Sequence, residues 1–279
     1  MTIQIAILGL GHIGASIGLA LATQKEQIQR IGWDCSPDTA QKALGIGAVD
    51  RGCADLAAAV QDADVVTLAL PVGDIRPTLE LIASVLKPDC VVLDTSPAAA
   101  AVSTWAHQLL PGSCDFVGFT PTLNPIYLQE SDGGIDAARD DFFQSSLMVL
   151  THPPGTPSEA VRLAHNLALL LGASSLYTDT LESGGLLASS DLLPKLAAAA
   201  LLNATVDQPG WQDARKIASR AYAAATAAVM HLDDDEQPGW SALLNRENAL
   251  RVIDNLMAAL HRLRAAIADD DQQTLHTLL

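Results

Sequence analysis

The feature that most constrains the fold is a glycine-rich segment near the start of the sequence, Gly9-Leu10-Gly11-His12-Ile13-Gly14. It follows a short apolar run, residues 3–8, that is rich in β-branched side chains, and it precedes residues 15–23, which have helical spacing. A strand, a GxGxxG turn and a helix in this order are typical of the turn that binds the pyrophosphate of a dinucleotide. The alternative is a glycine-rich turn in another kind of α/β protein.

Each position of the glycine-rich segment has a physical role in this interpretation. Gly9 permits a tight turn, Gly11 lets a pyrophosphate approach the backbone, and Gly14 lets the helix lie close to the sheet. The start of the helix offers unpaired N–H groups and a positive dipole end to the phosphates, so His12 and Ile13 join the predicted cofactor-binding set. The His12 side chain is expected to lie in the loop and partly face solvent.

The predicted nucleotide is NAD, because an acidic residue ends the second predicted strand. Asp34 lies 20 residues after Gly14, where a carboxylate accepts hydrogen bonds from the adenosine 2′-OH and repels a 2′-phosphate. NADP is therefore the less favoured cofactor.

The remainder of the sequence divides into an alternating part and a helical part. Strands that alternate with helices indicate a doubly wound parallel sheet, whereas the Ala- and Leu-rich sequence after about residue 179 has helical spacing and no convincing strand. We predict a Rossmann-like domain at 1–179 and an all-α helical domain at 180–279. The predicted strands are 3–8, 29–34, 65–70, 90–94, 115–119, 147–151 and 174–178, and the predicted late helices are 191–206, 212–231, 240–268 and 269–279.

Charge and composition exclude several classes of function. The 32 acidic and 16 basic side chains give a net charge of −16, which opposes binding to nucleic acid or to anionic membranes. The longest apolar runs, such as 196–202, are shorter than the roughly 20 residues of a membrane helix. Four scattered cysteines and the absence of a basic leader predict a cytoplasmic protein with reduced thiols. No metal site is expected, because the histidines lack ligand spacing and the acidic run 233–236 favours a solvated loop.

Several segments, taken in chain order, resemble the prephenate/arogenate dehydrogenase family of tyrosine biosynthesis. The resemblance is fairly continuous over residues 3–150 and patchy beyond them. The segments that carry it are 7–16 (ILGLGHIGAS), 32–34 (GWD), 69–72 (ALPV), 94–96 (DTS), 116–118 (FVG), 136–143 and 245–247 (NRE).

The resemblance implies a fold, an activity and further site residues. The fold would be a Rossmann-like domain followed by a helical domain that forms a homodimer. The activity would be NAD(P)-dependent oxidation of prephenate or arogenate with loss of CO₂. Pro71 and Ser96 follow the third and fourth predicted strands and would lie at the cofactor, with Ser96 beside the nicotinamide and Asp94 ordering the turn.

Three segments of the sequence depart from the family pattern. The family's His-Pro-Met-Ala-Gly segment corresponds to 120–124 (TPTLN), which places Thr120 at the position of the catalytic histidine. The family's Ser-His-Leu-Pro segment corresponds to 190–194 (SDLLP), and two substrate-binding arginines correspond to Ala224 and Ala228. A threonine can form a hydrogen bond but cannot act as a base near neutral pH, and alanines cannot hold the carboxylates of a dianion.

Ser96, Thr120 and Lys195 are the candidate catalytic residues. Ser96 either bonds cofactor or substrate or serves as a helix N-cap. Lys195 either acts on the substrate with Asn203, two helical turns on, or is a surface lysine near a helix start.

The sequence therefore leaves two functions open. The first is an NAD(P)-dependent dehydrogenase that acts on a prephenate-like or other small acid. The second is a catalytically silent, dinucleotide-binding dimer with a sensing or scaffolding role.

Overall fold

One mixed sheet of eight strands organises the first part of the chain. The computed structural model describes residues 2–128, 130, 133–230 and 237–279, so the acidic run 233–236 lies outside the described residues. The strand order is β3-β2-β1-β4-β5-β6-β7-β8. The strands are β1 (Ile3–Leu8), β2 (Ile28–Trp33), β3 (Arg51–Gly52), β4 (Val65–Leu68), β5 (Val91–Asp94), β6 (Asp115–Pro121), β7 (Leu147–Thr151) and β8 (Ser174–Tyr177).

Helices cover both faces of this sheet, as predicted for a doubly wound fold. Successive residues of β1 enter opposite layers: Ile5 and Ile7 pack in one, and Ala6 and Leu8 in the other. The six helices are α1 (His12–Ala20), α2 (Pro37–Gly45), α3 (Leu56–Val60), α4 (Val72–Ile82), α5 (Ala99–Leu109) and α6 (Ser158–Leu170). One layer includes α1, α2 and α6, and the other includes α3, α4 and α5.

The sheet is parallel except at one pair, β6 and β7. The described residues between these strands form two short 3-10 turns, Pro125–Tyr127 and Gly134–Ala137, rather than a crossover helix. Because no helix among these residues carries the chain back to the other end of the sheet, β7 starts at the end where β6 finishes and therefore runs antiparallel to it. The pairs β3 with β2 and β8 with β7 are both parallel.

A buried arginine fastens β2 to the neighbouring connections. Arg30 is fully buried, and its guanidinium lies 2.6 Å from the Asp50 carboxylate and donates to the carbonyl oxygens of Gly18 and Gly47. Burial raises the pKa of Asp50, but the hydrogen bonds and charge of Arg30 outweigh it, so the pKa lies below its ordinary value. This ion pair belongs to the scaffold rather than to a site.

The second part of the described chain consists of helices. The predicted helix 212–231 is wrong as a single element, because Ala218 is extended and the Ser219 hydroxyl accepts the N–H of Tyr222 to start a new helix. The predicted helix 240–268 breaks at Asn245, whose side-chain amide donates to the carbonyl of Gly184. The helices are α7 (Thr180–Leu187), α8 (Leu193–Val206), α9 (Trp211–Ala214), α10 (Arg220–Met230), α11 (Pro238–Leu244), α12 (Arg246–Ala268) and α13 (Gln272–Leu278).

A π-helical turn, Ala188–Leu192, joins α7 to α8 into one helical stretch. This stretch, Thr180–Val206, has 27 residues and is long and apolar enough to cross a membrane by length and composition. Its apolar residues are divided among several short runs, so no uninterrupted run in the sequence reaches the length of a membrane helix. Only 17% of its most apolar window is buried within the described chain.

Candidate functional site

Five of the strands deliver the predicted site residues to one edge of the sheet. Strands β2, β1, β4, β5 and β6 are neighbours and run parallel, so their carboxyl ends share that edge. The glycine-rich turn follows β1, and Thr120 lies near the end of β6. Asp34, Pro71 and Ser96 follow β2, β4 and β5, respectively. Ligands of open α/β sheets bind outside these carboxyl ends.

The glycine-rich turn is built so closely that two of its glycines cannot carry a side chain. Gly9 has a φ of +87°, and a Cβ there would lie 2.1 Å from the carbonyl oxygen of Ala69. A Cβ at Gly14 would lie 1.9 Å from the carbonyl oxygen of Gly9. Gly11 directly precedes α1 as its N-cap residue. We call the turn formed by residues 9–14 the glycine cradle; its binding of a pyrophosphate stays a prediction from the sequence.

The first residues of α1 fix the position of this turn. The ring of His12 lies 4.2 Å from the ring of Phe142, and the partly buried Ile13 packs against the core. The hydroxyl of Ser16 accepts the N–H of Arg139, which ties the loop before β7 to the same helix. The Ile13 side chain is thus structural, and the backbone at the start of the helix is what faces the cradle.

Asp34 holds the turn as well as facing the site. One of its carboxylate oxygens accepts the N–H of Leu10 and the other accepts the N–H of Ser36, both at 2.8 Å. A carboxylate has about four lone-pair positions, so acceptor capacity remains for ribose hydroxyls. The side chain is only partly buried, and its position favours NAD over NADP.

Asp94, Ser96 and Thr120 form a hydrogen-bonded group in which all three side chains are buried. The Ser96 hydroxyl donates to Asp94 at 2.7 Å, and the Ser96 N–H donates to the other oxygen at 3.1 Å. The Thr120 hydroxyl donates to the Ser96 carbonyl at 2.8 Å, which links β6 to the turn after β5. Thr120 is therefore placed to position Ser96.

Burial dominates the electrostatics of this group. It raises the pKa of Asp94 to about 7, against the opposing effect of the two hydrogen bonds from Ser96. The sequence predicts that Asp94 orders the turn, and the hydrogen bond that its carboxylate accepts from the Ser96 N–H agrees with this prediction. Ser96 is not the residue that precedes α5, because Ala98 holds that place and no side chain caps the helix. The N-cap interpretation of Ser96 is therefore wrong.

The candidate Lys195 lies in the helical part, on α8. Its ammonium group lies 2.9 Å from the carboxylate of Asp191, one turn earlier. Ser190 and Asp191 belong to the π-helical turn, and the segment 190–194 is one residue longer than the family segment that it resembles. A π turn holds one extra residue per turn, so it accommodates this added residue without breaking the helix.

Ala224 and Ala228, the positions that correspond to the family's arginines in the sequence resemblance, lie on α10. Ala224 is exposed and Ala228 is half-buried, and α10 packs against α8. No guanidinium occupies either position.

A hydrogen bond that the sequence does not indicate joins Gln237 in the helical part to Gly73 at the carboxyl ends of the strands. The side-chain oxygen of Gln237 accepts the N–H of Gly73 at 3.0 Å, at the start of α4. A Cβ at Gly73 would also lie 3.5 Å from the indole nitrogen of Trp240. Gln237 carries no sequence signal, because a lone glutamine before a helix is common.

The described residues do not form a recognisable metal-binding site. They contain no group of three or more histidine, cysteine, aspartate or glutamate side chains that could hold a metal ion. None of the four cysteines, all of which lie among the described residues, forms a disulfide.

Three comparisons identify the relatives of this chain. Residues 17–177 match the family model described as prephenate dehydrogenase, nucleotide-binding domain. A prephenate dehydrogenase of Bacillus subtilis is 25% identical over 97% of this chain and 72% of its own length. A cyclohexadienyl dehydrogenase of Zymomonas mobilis is 26% identical over 96% of this chain and 89% of its own length.

Solved structures share the whole architecture. The prephenate dehydrogenase of A. aeolicus, in complex with hydroxyphenyl propionate and NAD+, superposes with a TM-score of 0.87. It is 21% identical, and the match covers 99% of this chain and 94% of that one. The arogenate dehydrogenase of Synechocystis has a TM-score of 0.77 and is 25% identical over 99% of this chain and 96% of its own. The fold of both parts, sheet and helices, is therefore that of these proteins.

Proposed function

This chain belongs to the prephenate dehydrogenase family, and from that membership we propose that it is an NAD-dependent dehydrogenase of a small hydroxylated acid. The observation that carries the proposal is the shared sheet edge, where the glycine cradle, Asp34 and the Asp94–Ser96–Thr120 group lie at the ends of neighbouring strands. The proposed domains are 1–179 for the nucleotide and 180–279 for substrate binding and dimerisation.

The nucleotide is held by backbone and by one carboxylate. The N–H groups at the start of α1 bind the pyrophosphate beside Gly9, Gly11 and Gly14, which explains how so acidic a chain holds an anion. Asp34 accepts the hydroxyls of the adenosine ribose, and Pro71 lies at the start of α4, next along the same edge. The bound nicotinamide supplies the acceptor for hydride.

Ser96 orients the substrate in this proposal. Its hydroxyl donates its proton to Asp94 and accepts the N–H of Ala98 at 3.4 Å, so one lone pair is left to accept a hydrogen bond from a substrate hydroxyl. Thr120 holds the Ser96 backbone in place. Positioning of this kind is worth several orders of magnitude in rate when the reacting atoms are aligned.

The substrate differs from prephenate in charge. A dianion needs cationic partners when it leaves water, and alanines stand where the family has arginines. We therefore expect a substrate with less negative charge than prephenate, and arogenate or another monoanionic hydroxy acid meets that condition.

The test is a turnover assay with NAD and a panel of hydroxylated acids that includes prephenate and arogenate. NADH formation is expected with a monoanionic substrate, and at a much lower kcat/KM with prephenate. Efficient turnover of prephenate would overturn the change of substrate.

A silent nucleotide-binding dimer is the second candidate, and the absence of an imidazole at Thr120 favours it. A chain of this kind binds NAD in calorimetry but gives no NADH with any member of the panel. That result would replace the dehydrogenase proposal with the sensing or scaffolding role.

A homodimer in the cytoplasm completes the proposal. The helical part exposes large apolar side chains on several helices, and a second copy of the chain would cover them. They include Leu181, Leu186, Ile217, Leu243, Leu250, Met257, Leu260 and Ile267. Sedimentation should give a dimer for the wild type and a monomer for Leu260→Asp, whereas Leu81→Asp, an exposed position on α4, should leave the dimer intact. A monomeric wild type would overturn this part of the proposal.

A further inference from the structure

Asp94 is a buried titratable group at the proposed active site, and the dehydrogenase chemistry described so far gives it no part in proton transfer. It is the last residue of β5 and has no exposed surface. Its neighbours in the sheet are Leu68 on β4 and Gly118 on β6, neither of which titrates. A carboxylate without a cationic partner is expensive to bury, so an aspartate kept at this position calls for a reason.

Among the residues that the structure describes, Ser96 is the one that donates hydrogen bonds to the Asp94 carboxylate. Its two oxygens accept the hydroxyl and the backbone N–H of Ser96, at 2.7 and 3.1 Å. Ser96 lies beyond the strand end and is about one-twentieth exposed. A proton can therefore enter or leave Asp94 through the Ser96 hydroxyl along an existing hydrogen bond.

We propose that Asp94 and Ser96 form a proton relay that replaces the missing histidine, with Asp94 as the final acceptor of the substrate hydroxyl proton. This inference rests on the proposed dehydrogenase function and names the proton acceptor of that site. Ser96 is the residue that touches the substrate, and Asp94 acts through it.

The relay balances as an alcohol oxidation. The substrate O–H bond breaks and its proton passes to the Ser96 oxygen, while the Ser96 proton passes to Asp94. The carbon that bears the hydroxyl loses hydride to NAD+, which is the oxidant of the proposed activity. In a prephenate-type substrate the ring also loses CO₂, the electrons of the broken C–C bond complete the aromatic ring, and the phenolate oxygen takes the proton back from Asp94 through Ser96. In a simple alcohol oxidation the product is a ketone, and the proton leaves Asp94 for solvent along the same path.

The electrostatics of the site suit this role. An acceptor works best when its pKa lies near the working pH, and burial raises the pKa of Asp94 to about 7. The two hydrogen bonds from Ser96 lower the pKa of Asp94 and oppose the effect of burial. No charged side chain among the described residues contributes to the shift. Since the ionised form accepts the proton, turnover should fall with a slope of one proton as the pH drops below about 7.

The relay is tested first without nucleotide or substrate. Infrared difference spectra of protein with carboxyl-labelled aspartate should show a buried carboxylic acid that titrates near pH 7. The band should vanish in Asp94→Asn, move to higher pH in Ser96→Ala, and persist in Asp115→Asn. Asp115 is the matched control, because burial and Asp89 also raise its pKa but it lies at the opposite end of β6. An aspartate band that shows Asp94 ionised throughout pH 5–8 overturns the relay.

Turnover then separates the relay from the function on which it rests. We expect Asp94→Asn and Ser96→Ala to lose about 10²–10⁴ in kcat and to lose the acidic limb of the pH profile, with Ser96→Thr restoring much of both. Near-wild-type kcat in Asp94→Asn, with the limb retained, overturns the relay and leaves the dehydrogenase standing. Absence of turnover in the wild type overturns both. If Asp94→Asn does not fold, the Ser96 pair decides by the same criteria.

Discussion

The sheet and the helical part of this chain bury their side chains to very different extents. Every strand from β4 to β7 is largely or wholly buried, whereas the described residues beyond 180 contain only six buried apolar side chains, four of them alanines. The sheet thus has a core of its own. The helices depend on packing against α4 and α5 and on whatever covers their exposed apolar faces. Gly9 and Gly14, where a Cβ would collide with backbone, lie in the first part, whereas Ala224 and Ala228 lie in the second.

The largest effect is expected from adding a side chain to the glycine-rich turn in the first part. Gly14→Ala places a methyl group against the carbonyl oxygen of Gly9, and the backbone cannot yield without moving α1 or β1. We expect loss of measurable NAD binding by calorimetry and a loss of stability of about 1–3 kcal/mol. Gly45→Ala is the control: its Cβ meets nothing within 4 Å, and an alanine in α2 should stabilise by about 0.5–1 kcal/mol. Wild-type NAD affinity in Gly14→Ala would refute the cradle.

The scaffold beneath the cradle should be the next most sensitive. Arg30→Met leaves the Asp50 carboxylate without its guanidinium partner and three carbonyl oxygens without that donor, so urea unfolding should show a loss of about 3 kcal/mol. The exposed pair Arg76–Glu80 on α4 is the control, and Arg76→Met should change stability by less than about 0.5 kcal/mol.

The same variant has a defined pH dependence. The pKa of Asp50 is lowered in the folded state, so its contribution is present above its ordinary value of 3.8 and is lost as the pH falls through the folded value. The stability gap between wild type and Arg30→Met should therefore narrow below pH 3.8. A constant gap would show that packing, not the ion pair, provides the stability.

The smallest effect is expected in the helical part, at Lys195. Because the lysine forms an i,i+4 pair with Asp191, Lys195→Met should change stability by about 0.5 kcal/mol or less and leave kcat near wild type. Asp191→Asn breaks the same pair and keeps the lysine. A hundredfold loss of kcat in Lys195→Met alone would make it a catalytic residue and would end the contrast between the two parts.

Most of the strands and helices of the first part could be predicted from the sequence, because short-range patterns indicate them. A run of apolar, β-branched residues indicates β1, and the glycines that follow it indicate the turn. The short β3 and α3 were missed, since two and five residues are too few to show a period. The strand at 147–151 was predicted correctly, but its antiparallel direction was not, because strand direction depends on how the chain returns to the sheet, which composition does not encode.

Other features depended on contacts between distant residues. The interruption at Asn245 arises from a bond to Gly184, 61 positions away, and Gln237 meets Gly73 across 164 positions. Asp94 could be located from the sequence but not its burial, and burial is what changes its chemistry. The sequence therefore predicts which residues follow the ends of these strands, and their burial and hydrogen bonds are seen only in the structure.

The order of strands in the sheet has a consequence for how the chain is made. The central strands β2, β1 and β4 all come from the first 68 residues, and β5, β6, β7 and β8 then add outward in the order of synthesis. A chain leaving the ribosome can assemble its phosphate-binding edge before the helical part exists, since N-terminal domains generally fold first.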